Sequence, residues 1–306
     1  MKYIFIANPN AGNKDAVSRV ENEINSLKTK IDYEIYVTQC KQDGTQFVRE
    51  YCKKNQDEKA CFVACGGDGT INEVAHGLVG SKNKTLAILA FGSGNDFIKY
   101  YKGKCFTSLE KIVGGTEHLI DILQVDDGQS NDHYSINVCN FGLDAVVCAY
   151  ANKLKDAGKK NAYTKGVIRA IFIGRYNKID VEIDGKKVTN GRVLLGTLAN
   201  CHYVGGSYFT APLAKNDDGL IDASVFKPMS LLKFSTMLNA YKSGTHLNPE
   251  NREKIKKELC FAKTNQPIHV FSDKKFDIAL DGEVISGTSF YVSIVPNAIN
   301  FIIPAD

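Results

Sequence analysis

Over the first third of the chain, short apolar runs alternate with stretches whose apolar positions return every three or four residues. The runs lie at residues 3–7, 33–37, 60–65 and 85–90, and read as strands. The three-to-four periodicity predicts helices over 14–27, 44–52 and 70–79. Strands alternating with helices imply βαβ units and a parallel sheet covered on both faces. Turn-rich segments at 8–12, 66–69 and 92–95 each follow a strand, at the end where ligands gather in open α/β sheets.

The pattern changes near residue 120. Strands are predicted at 118–125, 134–141, 178–183, 187–199, 220–226, 258–264, 268–272, 276–280 and 289–296. Asp184-Gly185 and Asp281-Gly282 are turn signals between them, and helices are expected at 142–154, 163–174 and 231–241. The fold class is therefore α/β plus mostly β: a doubly wound N-terminal domain, then a β-rich, mostly antiparallel one. The boundary falls in the polar stretch near 126–131, giving domains 1–126 and 127–296, and the apolar end 297–306 can return to the first.

Composition narrows this only a little. No apolar run approaches the roughly 18 residues of a membrane span, and the N-terminal run stops at Asn8-Pro9, short of a secretory core. Nine cysteines without a Cys-x-x-Cys pair, several inside apolar runs, read as small hydrophobes of a reduced, cytoplasmic protein. A net charge of +4 permits attraction to phosphates or anionic lipid without demanding either, and points to no nucleic acid.

The strongest local signal is Gly66-Gly67-Asp68-Gly69-Thr70, a strand end leading into a helix. Backbone N–H groups at such a start attract phosphate, and the helix dipole adds to the effect. Asp68 would repel phosphate directly, so it would act through Mg²⁺ or a ribose hydroxyl. The same residues also read as a capping box, Thr70-Ile71-Asn72-Glu73, which needs no ligand. Asn8-Pro9-Asn10-Ala11-Gly12, with Lys14 just beyond, and Gly92-Ser93-Gly94-Asn95-Asp96-Phe97 repeat the strand-to-loop logic. Neither has Walker or dinucleotide spacing.

Together these motifs resemble the diacylglycerol kinase catalytic family, which includes soluble bacterial lipid kinases and sphingosine and ceramide kinases. The resemblance continues through Ala211-Pro212, the acidic Asp217-Asp218-Gly219-Leu220-Ile221-Asp222 and the turn Leu280-Asp281-Gly282-Glu283, so it spans nearly the whole chain. It implies an active site between two domains and transfer of the ATP γ-phosphoryl group to a lipid hydroxyl, with diacylglycerol the default acceptor. By the same resemblance ATP is held by residues 8–12, Thr38, 66–72 (Gly66, Gly67, Asp68, Gly69, Thr70, Ile71 and Asn72) and Ser93. Lys14 is added for its closeness to the first loop. Glu283 matches the general base. A structural Mg²⁺ is implied on the Asp218 carboxylate and the carbonyls of Lys215 and Leu220, and a second Mg²⁺ beside ATP near Asp68. Asp121 is placed in the same polar network, and Asp96 near the lipid headgroup.

Lipid access implies peripheral contact with a membrane surface. The lysines 153, 155, 159, 160 and 165 and the helix carrying Leu231 and Leu232 are candidate contacts, each equally readable as a solvated run and a core helix. Homodimeric relatives lean the expectation towards a homodimer. Other acceptors (sphingoid bases, ceramide, phosphatidylglycerol), an NAD-kinase-like enzyme and a catalytically silent nucleotide-binding regulator are the alternatives.

Overall fold

The computed structural model describes residues 1–12, 15–129, 132–156 and 178–306. Lys14, the helix expected at 163–174 and the lysines at 159, 160 and 165 lie outside the described residues. The chain divides into two compact units, Met1–Ile122 with Pro296–Asp306, and Leu123–Val295.

The first unit runs β1 (Lys2–Ala7), α1 (Ala16–Ser26), β2 (Asp32–Val37), α2 (Asp43–Lys54), β3 (Ala60–Gly66), α3 (Asp68–Leu78), β4 (Lys84–Ala90), α4 (Leu109–Val113) and β5 (Thr116–Asp126). Strands pair in parallel in the order β2-β1-β3-β4, and the chain's last strand adds beside β4 through Asn300 and Phe301. Alternation explains why every residue of β3 and β4 is buried. Tyr3, Phe5, Cys61, Val63, Ala87 and Leu89 face one core with α1 and α4. The intervening Ile4, Ile6, Phe62, Leu86 and Ile88 are equally buried on the opposite face. In this order β2 and β3 flank β1 on opposite sides, so the connections reverse direction between β1 and β3. A doubly wound sheet binds its ligand at such a point. The loops after β1 and β3 are two of the three glycine-rich segments.

In the second unit come β6 (Asp132–Ser135), β7 (Val138–Gly142), α5 (Leu143–Asp156), β8 (Asp180–Ile183), β9 (Lys186–Lys187), β10 (Leu195–Ala199), the small hairpin β11 (Tyr203–Val204) and β12 (Tyr208–Phe209), and β13 (Ile221–Phe226). After these follow α6 (Leu231–Ser243), α7 (Pro249–Lys254), β14 (Leu259–Thr264), β15 (Ile268–Leu280) and β16 (Glu283–Ile303), whose last residues return to the first unit. Antiparallel pairing runs β14-β13-β10-β7-β15-β16. The segment expected as strands 268–272 and 276–280 is one strand, whose register against β16 shifts between Phe271 and Phe276. Before the shift β15 pairs with β8, after it with β7. The expected strand 187–199 is two, β9 and β10, and 134–141 also divides, at Ile136-Asn137. One face of the sheet closes over Val181, Ile221, Val270, Phe290 and neighbours.

The opposite face is covered by α5 and α6. Phe234, Met237 and Tyr241 of α6 are buried there while Leu232 is 80 % exposed, so α6 is a core helix from which Leu232 protrudes. A polar network crosses this core. The Tyr241 hydroxyl donates to Asp144 Oδ2 at 3.1 Å and lies 2.6 Å from Thr197 Oγ1, which donates to Asn140 Oδ1 at 2.9 Å. Burial pushes the Asp144 carboxyl up to about 6, against the opposing effect of the Tyr241 hydrogen bond. Folding therefore retains a proton that the unfolded chain loses near pH 4. Asp144 thus favours the folded state at low pH, and this contribution is lost as pH rises from about 4 to about 6. Asp144→Asn should raise stability by about 1–3 kcal/mol above pH 6 and leave it unchanged near pH 4. Melting midpoints across that window check this. An unaltered pH slope would rule Asp144 out as its source.

Candidate active site

In the first unit the three glycine-rich loops touch one another. Asn8 follows β1, its N–H donating to Cys65 O at 3.2 Å and its Nδ2 to Thr70 Oγ1 at 3.3 Å. Asn8 Oδ1 also accepts the Asn10 N–H at 2.9 Å, closing a turn that leaves Asn10 exposed. The third loop is drawn in by Phe91 and Gly92, whose N–H groups donate to Gly66 O at 2.9 and 3.1 Å. Two glycines here are demanded by packing. A Cβ on Gly66 would lie 2.2 Å from Thr70 Oγ1, and one on Gly92 would lie 2.4 Å from Gly67 Cα. Gly69 differs, because a Cβ there meets nothing within 4 Å. The fold does not need that glycine, which leaves open space over the start of α3.

That start is bare. Gly67 is the N-cap, no side chain among the described residues caps it, and the first backbone bond is Ile71 N–H to Gly67 O at 3.1 Å. The capping box expected from Thr70 and Glu73 does not form. Thr70 lies within the first turn and accepts from Asn8. The Glu73 carboxylate instead reaches the start of the neighbouring helix α2, accepting the Gln42 and Gly44 N–H groups at 3.0 and 3.2 Å. With no competing carboxylate, the first-turn N–H groups of α3 remain donors for an anion.

Asp68 opens α3 and faces the third loop. Its Oδ1 accepts the Asp96 N–H at 2.6 Å and the Phe97 N–H at 3.4 Å. Its Oδ2 lies 2.8 Å from where a Cβ on Gly94 would stand. Burial, then the Asp96 charge, raises its pKa, opposed by the two backbone donors. Lys99 pairs with Asp96 at 2.7 Å. Two carboxylates and one ammonium leave this corner electron-rich, with hard oxygen donors suited to a divalent cation. Asn72, just inside α3, has a buried Oδ1 with no hydrogen-bond partner among the described residues. Such an orphaned oxygen costs about 1–3 kcal/mol unless something binds it.

The other expected nucleotide residues are distributed unevenly. Ser93 is exposed on the third loop, while Pro9 and Ala11 are partly buried beside Gly12. Thr38 is buried beside the end of β1, its N–H donating to Ala7 O at 3.0 Å. Ile71 corrects the expectation: its side chain is fully buried in the core and its N–H is engaged by Gly67, so neither faces a ligand. Asp121 is 1 % exposed and accepts the Asn297 N–H at 2.8 Å, which fixes a left-handed residue of β16. Arg19 was not expected. Its guanidinium sits 4.0 Å above the Phe91 ring, and its Nη1 is 3.6 Å from where a Cβ on Gly12 would stand. A cation therefore flanks the first loop from α1, and only the helical turn between Asp15 and Arg19 could have hinted at it.

In the second unit, Glu283 opens β16 after the two-residue turn Asp281-Gly282, whose φ values of 49° and 89° suit the hairpin type that Asp-Gly favours. Its neighbour Asp281 fastens this turn. Asp281 Oδ1 accepts the N–H groups of Asn137 and Val138 at 3.2 and 2.9 Å and lies 2.8 Å from Ser135 Oγ, while Oδ2 accepts the Ile136 N–H at 2.8 Å. This is why β6 and β7 are separate strands: the peptides between them turn inward to the carboxylate. Asn152 of α5 donates to Gly282 O at 2.9 Å.

The acidic loop before β13 is arranged differently from expectation. Asp218 Oδ1 accepts the Leu220 N–H at 3.1 Å, and its Oδ2 lies 3.9 Å from Lys263 Nζ. Lys215 is exposed. Lys263 also donates to Leu213 O at 2.7 Å and pairs with the buried Asp222 at 3.0 Å. An ammonium thus lies 3.9 Å from the one carboxylate expected to hold a divalent ion together with the carbonyls of Lys215 and Leu220.

Residues 2–125 match the diacylglycerol kinase catalytic domain, and residues 137–303 match the YegS C-terminal NAD kinase beta sandwich-like domain. The chain belongs to the diacylglycerol kinase catalytic-domain family, with a YegS-type second domain, and is a kinase. It is 29% identical to a diacylglycerol kinase of Bacillus subtilis over 81% of this chain and 78% of that one. A "probable lipid kinase YegS-like" protein of Yersinia enterocolitica is 28% identical over 96% of this chain and 94% of its own. A solved Bacillus anthracis diacylglycerol kinase shares the fold with a TM-score of 0.67 at 20% identity, covering 99% of this chain and 96% of that one. No helix among the described residues is long and apolar enough to cross a membrane.

Proposed function

We propose that this kinase uses ATP and Mg²⁺ to phosphorylate a lipid hydroxyl, with diacylglycerol the expected acceptor and phosphatidic acid the product. The observation that carries the reading is the bare first turn of α3, open above Gly69 and ringed by the loops after β1 and β4. A triphosphate there would accept first-turn N–H groups, with Arg19 beside the first loop offsetting its charge, while the nucleotide's Mg²⁺ or a ribose hydroxyl would give the acceptor Asn72 Oδ1 a partner. Asp68 Oδ2 and Asp96 would hold the nucleotide's Mg²⁺, which when bound neutralises charge on the phosphate oxygens. Glu283 takes the proton of the lipid hydroxyl as its oxygen bonds to the γ-phosphorus and the bond to the leaving ADP oxygen breaks. Positioning counts for more than basicity in such a step. A protein acting on this substrate works as a peripheral visitor to a lipid surface, and the exposed Leu232 is one candidate contact.

The test is transfer of label from γ-labelled ATP, with Mg²⁺, into mixed micelles carrying diacylglycerol, sphingosine, ceramide or phosphatidylglycerol. Labelled phosphatidic acid is expected. Label in another lipid would reassign the acceptor. ATP binding without transfer to any lipid would overturn the lipid-kinase reading.

A further inference from the structure

The acidic loop of the second unit carries its own cation. Asp222 and Lys263 stand directly opposite each other in the antiparallel register of β13 and β14. Cross-strand opposition of this kind brings side chains within reach without any loop having to be ordered first. The Lys263 ammonium lies 3.0 Å from Asp222 Oδ2, donates to Leu213 O at 2.7 Å, and lies 3.9 Å from Asp218 Oδ2. Asp222 is only 2 % exposed, so a charge on it requires a partner at close range. Asp218 Oδ1 is occupied by the Leu220 N–H. The ammonium thus gathers a carbonyl and two carboxylates from the two ends of the same loop.

A magnesium ion bound to Asp218 Oδ2 at about 2.1 Å would stand within about 6 Å of this ammonium. It would compete with the ammonium for the same carboxylate. We infer that in this chain Lys263 does the work of a structural cation, closing the 213–222 loop and balancing its carboxylates without a metal. The inference concerns the second unit's own folding and holds whatever the acceptor of the kinase. It also separates the two metal roles, leaving any Mg²⁺ requirement to the nucleotide.

The experiment is thermal unfolding of the full-length, chelator-treated protein without nucleotide, with and without millimolar MgCl₂, alongside Mn²⁺ binding followed by electron paramagnetic resonance. Wild type should melt at the same temperature with or without Mg²⁺ and show no Asp218-dependent Mn²⁺ binding. Lys263→Met should melt several degrees lower and regain part of the loss with Mg²⁺. Adding Asp218→Asn should remove that rescue. The inference is overturned if wild type is stabilised by Mg²⁺ and Asp218→Asn abolishes the effect. It also fails if Lys263→Met melts like wild type or ignores Mg²⁺. Should Lys263→Met not fold, Mn²⁺ binding by wild type and Asp218→Asn decides: Asp218-dependent binding overturns the inference, and its absence supports it.

Discussion

A Glu283→Gln variant should transfer phosphate to lipid about 10²–10⁴-fold more slowly than wild type, the range lost when a positioned general base is removed. Glutamine keeps the size and the hydrogen-bonding reach of the side chain, and the Asp281-Gly282 turn that places it is fastened by other residues. The loss should therefore fall on kcat. Nucleotide affinity, which the proposal assigns to the loops of the first unit, should stay within about twofold. Single-turnover transfer and a separate nucleotide titration distinguish the two effects. A loss below about tenfold would remove Glu283 from the chemistry, because positioning alone would then account for the rate.

Asp281→Ala should be the most destabilising single substitution among those considered. It strips the acceptor from three backbone N–H groups and leaves the Ser135 hydroxyl only its bond to Val138 O. Each buried donor left unmet costs about 1–3 kcal/mol, though solvent can reach part of the gap, so a total of about 3–5 kcal/mol is expected. For a unit of this size that lowers the melting midpoint by about 8–15 °C. Activity measured well below the new midpoint should also fall, since Glu283 follows two residues later. Asp281→Asn keeps one carbonyl oxygen and should lie between the two. An alanine variant that melts like wild type would show that the loop at 135–138 holds itself together.

Much of the first unit was legible because its central strands β3 and β4 are buried on both faces and its helices on one. Continuous apolar runs at 60–65 and 85–90 admit few other readings. The glycine-rich loops were legible as well, since strand, loop and helix start are contiguous in sequence. What failed was what depends on distant partners. Thr70-x-x-Glu73 is a sound local cap, yet Glu73 finds better donors at residues 42 and 44 of another helix. Ile136-Asn137 looked like strand until Asp281, more than 140 residues away, claimed its peptides. Arg19, Lys99 and Lys263 gave no motif, because a cation's role is set by what lies beside it in space. The metal expected at Asp218 came from the family resemblance of its loop, which gives no sign of Lys263, the cross-strand partner of nearby Asp222.

The contact between Gly67 and Gly92 reaches beyond nucleotide geometry. A Cβ on Gly92 would stand 2.4 Å from Gly67 Cα and one on Gly67 would stand 3.2 Å from Gly92 Cα, and both obstructing atoms are backbone, which cannot rotate away. In a library of variants Gly92 would be intolerant, whereas Gly67 would accept a side chain only where the loop after β4 gives by a few tenths of an ångström. Gly69 is the opposite case: the fold has room for a side chain there, but that room is the one the proposal gives to the triphosphate, so a substitution should cost nucleotide affinity and not stability.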